Sequence, residues 1–389
     1  MRGPDRLDQG PSALLGLLGI VALLAVYDAV YLVRWITETG IRSGDFYAFW
    51  SAGRFLTELN PADIYDPHKL QAYETALDPD FRDFYPFPYP PPFALVLRLL
   101  GALSYGSAYL VWIGATLALY LWAALGRRSL SLVGLATLVA PSTLLTAIAG
   151  QNGFLSAALM IGGFRLLDVR PLLAGVLFGL LAYKPQLALL VPIVLIAGRR
   201  WRSLAAAGMT VAMLVAISMS AFGPAMWTAW LGSIEVNAQL FENNAAKLQA
   251  SMPTLAPALL AVGLDHRLVG AVQVAIFAAI AWLLWRKTRS APSRTLVHLV
   301  PIGTIIATPY AFIYDLPMVT TAILAIVDER QRTGPALVPR EWLVVILALS
   351  LPILALAALL PGFLGPAVLG LALYFAIRSP TPDGAHRAT

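Results

Sequence analysis

The sequence predicts an all-α polytopic membrane protein with about 12 transmembrane helices. Hydrophobic residues make up 59% of the 389 residues and charged residues only 12%, and the mean hydropathy is +0.73. A soluble domain carries about 25% charged residues. Apolar runs recur along the whole chain at close to the ~20 residues that cross a bilayer core of about 30 Å. These runs are continuous and do not alternate, which predicts helices and not the strands of a barrel.

The predicted spans form one transmembrane domain, residues 1–389. Segment 93–103 is apolar but, at about 11 residues, too short to cross a bilayer. We predict that it is a half-helix leading into the next span; the alternative is a full span. The predicted spans are 13–33, 107–125, 131–148, 153–167, 172–183, 186–198, 203–222, 267–285, 295–308, 312–327, 342–360 and 364–377.

The charge distribution predicts the orientation of these spans. The chain has a net charge of +6, but its arginines sit in short clusters between apolar runs, such as 127–128, 199–202 and 286–289. With 93–103 as a half-helix, the clusters all fall on one side, which the positive-inside rule assigns to the cytoplasm. Both termini are then cytoplasmic. The same clustering argues against a nucleic-acid partner.

Composition also limits the chemistry. The chain has no cysteine, which excludes disulfides and thiolate catalysis, and its four histidines show no metal-ligand spacing. No glycine-rich phosphate loop is present. We therefore expect no metal and no cofactor.

Two polar segments are predicted to lie on the outer face. The first outer loop, 34–92, has a net charge of −4 over 34–88, and the amphipathic spacing of 45–59 predicts an interfacial helix. Pro67 predicts the start of a second, shorter helix over 68–77. The proline-rich run 85–92 predicts an extended return to the membrane. The second outer loop, 223–266, predicts another interfacial helix.

Asp45 is the candidate base in the first outer loop. It follows the first span closely, so aromatic neighbours and the headgroup plane would desolvate its carboxylate and raise its basicity. The other interpretation is an N-cap for the helix that follows. Tyr47 and Tyr89 are candidates for stacking on a sugar ring, or for an aromatic belt at the membrane interface.

Lys184 lies at membrane depth between two apolar runs, where a charge is costly and indicates function. Its ammonium is a candidate for binding the phosphate of a lipid-linked donor substrate. The alternative is that the Lys184 side chain snorkels to the membrane interface. Asp315 is a substrate-binding candidate, or a structural partner of Lys184. The other candidates for substrate binding on the outer face are Gln151, Asn152, Gln186 and Tyr310.

The order of several motifs resembles a known family. These are GDFYAFWSAGRFL with NPADIYD, then FPYPPPFALVL, GQNGFLSAALMIGG, YKPQLALLVPIVLIAGRRWRSL and ATPYAFIYDLP. In this order they resemble the polyprenol-phosphate-mannose-dependent mannosyltransferases of glycosyltransferase family 87, which have the GT-C fold. The resemblance covers about residues 15–330.

The resemblance implies an enzyme of the bacterial inner membrane with its active site on the periplasmic face. It would move a hexose, by family analogy mannose, from a polyprenyl-phosphate donor to a glycolipid or glycan acceptor with inversion. Asp45 would be the general base, and Lys184 would stabilise the leaving phosphate. Family members often carry His-Asp where this chain has Tyr314-Asp315, so Tyr314 is assigned to the donor phosphate as a hydrogen-bond donor without charge.

Two other functions share these features. A transporter or flippase of a lipid-linked sugar could use Lys184 and Asp315 as an intramembrane pair, but transporters keep polar groups near the midplane and often contain inverted repeats. Here the polar groups cluster at one face, which favours the transferase. An oligosaccharide ligase of similar architecture would use the same loops with a longer glycan.

Overall fold

The computed structural model describes residues 19–20, 22–31, 33–34, 44–79, 86–126, 132–249, 251–290, 293–333, 337–356 and 362–379. The described residues are helices and connecting turns with no strand, as predicted. The helices are α1 (Ala22–Tyr31), α2 (Gly44–Glu58), α3 (Pro67–Leu77), α4 (Pro91–Gly101), α5 (Tyr105–Leu125), α6 (Leu132–Leu138), α7 (Pro141–Ala149), α8 (Gly153–Leu166), α9 (Pro171–Leu180), α10 (Pro185–Ala188), α11 (Leu190–Ala197), α12 (Trp201–Phe222), α13 (Pro224–Asn243), α14 (Ala245–Leu248), α15 (Leu255–Ala261), α16 (His266–Ser290), α17 (Ser293–Ala307), α18 (Pro317–Thr333), α19 (Pro339–Leu356) and α20 (Leu364–Arg378).

Three helices within the described residues are long and apolar enough to cross a membrane: α5, α12 and α16. Their outer surfaces expose large apolar side chains, among them Leu110 at 71%, Met209 at 68% and Val274 at 68%. Such extensive apolar exposure is costly in water and suits a lipid environment. The total of 12 spans remains a prediction.

Proline positions changed two of the predicted spans. The predicted span 131–148 is two helices, α6 and α7, because Pro141 begins a new helix and the preceding residue, Ala140, is extended. The span 312–327 is shifted: Ile313–Asp315 forms a short 3-10 turn, and α18 starts at Pro317 and continues to Thr333. The span 186–198 agrees with the apolar helical segment Pro185–Ala197, in which Leu189 joins α10 to α11 in a helical conformation.

The half-helix prediction for 93–103 agrees with α4, an 11-residue helix. Helix α4 packs tightly against α2, the helix that carries Asp45. A Cβ atom at Gly53 of α2 would lie 2.1 Å from the carbonyl oxygen of Leu97, and Gly101 makes the reciprocal close approach. Only residues without a side chain permit backbones to approach so closely. The position of α2 is therefore fixed by its close contact with α4.

Helix α8 lies at the centre of the bundle, and most of its residues from Gly153 to Phe164 are buried. Its first residue touches a distant loop, since a Cβ atom at Gly153 would lie 1.6 Å from the carbonyl oxygen of Tyr314. The opposite end of the bundle carries charged pairs, including Arg200 with Asp168 at 2.5 Å and Arg330 with Glu341 at 3.0 Å. Polar residues thus separate into two ends of the molecule.

Candidate active site

Asp45 lies in the first turn of α2, which begins at Gly44. It is therefore inside the helix and is not its N-cap, so the capping interpretation is wrong. A carboxylate in this position is favoured by the positive end of the helix dipole. Its Oδ2 accepts a hydrogen bond from Gln151 Nε2 at 3.3 Å, and the side chain is only partly buried. The Asp45 carboxylate is therefore held by a hydrogen bond and remains partly exposed.

Gln151 and Asn152 connect α7 to α8 and are both buried. The Oε1 atom of Gln151 accepts from the backbone amide of Asn152 at 3.4 Å. Asn152 Nδ2 donates to the hydroxyl of Tyr89 at 2.9 Å, and its Oδ1 accepts from Lys184 Nζ at 3.0 Å. The two amides therefore join the Asp45 carboxylate to the Lys184 ammonium.

Lys184 and Asp315 form a buried ion pair with an Nζ to Oδ1 distance of 2.5 Å. Lys184 is 5% exposed and Asp315 is 1% exposed. The second carboxylate oxygen of Asp315 accepts from the backbone amide of Phe312 at 3.2 Å. Lys184 does not snorkel, and the pairing considered from sequence is present. A buried charge without such a partner would be strongly destabilising.

Aromatic residues surround this network. The Tyr89 ring lies 4.7 Å from that of Phe93, which in turn stacks on Tyr183 at 4.9 Å. The ring of Tyr314 lies 5.2 Å from Lys184 Nζ, within the range of a cation–π contact. The ring of Tyr310 stacks on Phe241 of α13 at 4.9 Å. The interfacial helix predicted in 223–266 thus contacts the loop that carries Asp315.

Two sequence candidates do not join the network in the described part of the chain. The hydroxyl of Tyr47 donates to the backbone carbonyl of Glu74 at 2.9 Å and so points towards α3. Gln186 is partly buried on α10, with no hydrogen bond to the network among the described residues.

Two polar residues were missed by the sequence reasoning. The hydroxyl of Tyr183 bonds Ser156 Oγ at 2.6 Å and donates to the carbonyl of Asn152 at 3.1 Å, which fixes the start of α8. Its place directly before Lys184, in a polar break between apolar runs, was the available signal.

Glu74 is 1% exposed on α3, and its Oε1 accepts from Ser51 Oγ of α2 at 3.0 Å. Its Oε2 is buried without a hydrogen-bond partner among the described residues. Burial raises the pKa of Glu74 to about 7, and the Ser51 hydrogen bond opposes this rise. The carboxyl is therefore largely neutral below pH 7 and holds α3 against the helix that carries Asp45.

The described residues contain no group of three or more His, Cys, Asp or Glu side chains close enough to hold a metal ion. The site consists of the base candidate Asp45, the side-chain amides of Gln151 and Asn152, the hydroxyl of Tyr89, and the Lys184 ammonium paired with the Asp315 carboxylate. Such a set can bind hydroxyl groups, accept one proton and stabilise one negative charge.

Fold and site together define a membrane protein with a polar site at one end of an apolar helical bundle. The family model for glycosyltransferase family 87 matches residues 87–309, more than half of the sequence, and the chain belongs to this family. It is a membrane glycosyltransferase. Among the site candidates, Tyr89, Gln151, Asn152, Lys184 and Gln186 fall within the matched region. No curated protein and no solved structure gives a significant match to the chain.

Proposed function

We propose that the chain transfers a hexose, mannose by family analogy, from a polyprenyl-phosphate donor to a hydroxyl of a glycolipid or glycan. The reaction takes place at the outer face of the bacterial inner membrane, in a GT-C fold of about 12 spans with both termini in the cytoplasm. The observation that carries the proposal is the continuous hydrogen-bond path from Asp45 through Gln151 and Asn152 to Lys184.

The path supports different catalytic roles for the residues at its two ends, Asp45 and Lys184. Asp45 removes the proton of the acceptor hydroxyl as its oxygen attacks the anomeric carbon from the face opposite the phosphate. The bond between the anomeric carbon and the phosphate oxygen breaks, and the phosphate stays on the lipid. Lys184 stabilises the negative charge that develops on the leaving phosphate. Attack from the opposite face inverts the anomeric configuration.

Four further residues of the site support these two roles. Asn152 and Tyr89 form one hydrogen-bonded unit beside Lys184 and are placed to meet sugar hydroxyls. Gln151 orients the base. Tyr314 lines the phosphate side through its contact with Lys184. The polar groups lie at one end of the bundle and the family is a glycosyltransferase family, so the transferase is favoured over a flippase.

The test is transfer of radiolabelled mannose from a synthetic polyprenyl-phosphate donor by the purified protein in lipid nanodiscs. Asp45→Asn removes the base, and we expect a loss of at least about 100-fold, the lower end for general-base catalysis. The matched control is Asp63→Asn in the same loop, whose carboxylate only pairs with exposed Lys69 at 2.9 Å. Full activity of Asp45→Asn would remove Asp45 as the base. Absence of transfer from any polyprenyl-phosphate hexose to any lipid or glycan acceptor by the wild type would remove the proposed donor class.

A further inference from the structure

The positive charge of the Lys184 ammonium is already balanced by the Asp315 carboxylate, whose Oδ1 lies 2.5 Å from Nζ. Asn152 occupies a second position on the same ammonium through its Oδ1, at 3.0 Å. Lys184 is 5% exposed, so a lipid phosphate at its ammonium lies beside Asp315 and competes with that carboxylate for the same positive charge. The competition matters for catalysis because the ligand of Lys184 changes its charge during the reaction.

The donor and the product differ in phosphate charge. A sugar-linked polyprenyl phosphate is a phosphodiester with one negative charge, whereas the polyprenyl phosphate left after transfer is a monoester. Monoesters carry about −1.5 to −2 at pH 7. An isolated buried lysine would hold the product more tightly than the donor, and the enzyme would be inhibited by its own product.

Asp315 can part from Lys184 without movement of a helix, but the buried carboxylate then lacks a counter-ion, and this cost favours its return and the release of the phosphate. Its Oδ1 pairs with Lys184, while its Oδ2 independently accepts from the Phe312 amide at 3.2 Å. If Oδ1 gives up Lys184, the carboxylate keeps the Phe312 hydrogen bond. Asp315 lies on the short turn Ile313–Asp315 between two helices, so the exchange requires no movement of a helix.

We propose that Asp315 is the counter-ion that exchanges with the lipid phosphate at Lys184 and so drives the release of the polyprenyl phosphate product. The proposal rests on the proposed function, which places the donor phosphate at Lys184. Asp315 is thus a specificity-determining residue: it lowers the affinity for the dianionic product more than the affinity for the monoanionic donor.

The experiment measures binding of a short polyprenyl phosphate and of the corresponding polyprenyl-phosphate mannose to protein in nanodiscs, without turnover. Asp315→Asn keeps the size and the Phe312 acceptor but removes the charge. We expect it to bind the product at least about tenfold more tightly, with a smaller gain for the donor. Steady-state assays should then show stronger inhibition by added polyprenyl phosphate.

The control is Asp168→Asn, which removes the carboxylate of a pair of the same length, with Arg200 at 2.5 Å, that is exposed and lies at the other end of the bundle. It should leave the product-to-donor affinity ratio unchanged. Asp315→Glu retains the charge and should keep the ratio near that of the wild type. An unchanged ratio in Asp315→Asn would overturn the proposal and make the pair purely structural.

The wild type supplies a second measurement if Asp315→Asn does not fold. With the counter-ion in place, the wild type should bind polyprenyl phosphate no more tightly than the donor. Tighter binding of the product would overturn the role of Asp315. Failure of the wild type to bind either lipid phosphate would instead overturn the proposed function, so the two failures are distinguishable.

Discussion

Replacing Gly53 with alanine tests whether the contact between α2 and α4 positions Asp45. The new Cβ atom would lie 2.1 Å from Leu97 O, and ordinary carbon–oxygen contacts are about 3.3 Å or longer. The two helices must therefore separate by about 1 Å. Asp45 is on the same helix, eight residues or about 12 Å from Gly53. Its 3.3 Å hydrogen bond to Gln151 would be lost or redirected.

A displacement of the Asp45 carboxylate by about 1 Å is expected to lower the reaction rate. Misplacing a reacting group by 1 Å costs about 100-fold in rate. Overpacking costs about 1–3 kcal/mol, and the helix propensity of alanine returns up to about 1 kcal/mol. We therefore expect Gly53→Ala to lose about 100-fold in activity, with a net loss of stability of up to about 3 kcal/mol. The assays are mannose transfer in nanodiscs and thermal unfolding of the same preparation.

The control is Gly114→Ala on α5, where an added Cβ atom has open space within 4 Å. This variant should keep its activity and unfold at or slightly above the wild-type temperature, because alanine has the higher helix propensity. If Gly53→Ala transferred mannose at the wild-type rate with the wild-type unfolding temperature, the close approach of α2 and α4 would not position Asp45, and the reasoning would be refuted.

Two further predictions concern the first outer loop. Glu74 has its pKa raised to about 7, above its unfolded value, so its neutral form favours the folded state. This contribution is full below the unfolded pKa of about 4.5 and is lost as pH rises through 7, by about 3 kcal/mol in total. The wild type should lose thermal stability between pH 5 and 8, whereas Glu74→Gln should not; parallel profiles would contradict this. Because the chain has no cysteine, single cysteines at exposed Thr57 and Arg202 can report topology. An impermeant thiol reagent added to intact cells should label Thr57→Cys and not Arg202→Cys, and the opposite pattern would reverse the orientation.

Several of the site residues could be predicted from the sequence, because a polar group at membrane depth costs free energy and therefore indicates a functional or structural role. Lys184 and Asp315 interrupt apolar runs, and the cost of burying either charge alone predicts a partner. Gln151 and Asn152 stand out for the same reason. The two helices of the first outer loop followed from amphipathic spacing and from Pro67, and α2 and α3 agree with 45–59 and 68–77 within about a residue.

The errors arose where the position of a side chain depends on packing. Tyr47 follows Asp45 by two residues, and residues at that spacing do not share a helix face, so its side chain meets α3 instead of the network. Glu74 has the sequence of a surface residue, and only the packing of α3 on α2 buries it. The break before Pro141 was visible in the sequence, but the hydrophobicity of 131–148 outweighed the proline in the prediction.

The ion pair between Lys184 and Asp315 also has a consequence for biosynthesis. The two residues are 131 positions apart, so at about 5–20 residues per second the lysine is made roughly 7–26 s before its counter-ion. A lysine at the centre of a helix costs about 2.5–3.5 kcal/mol on insertion. Among the described residues, the hydrogen-bond partner of Lys184 that is already synthesised in this interval is Asn152, 32 residues earlier. The Asn152 amide is thus the group available to the nascent ammonium until Asp315, in the last fifth of the chain, is made.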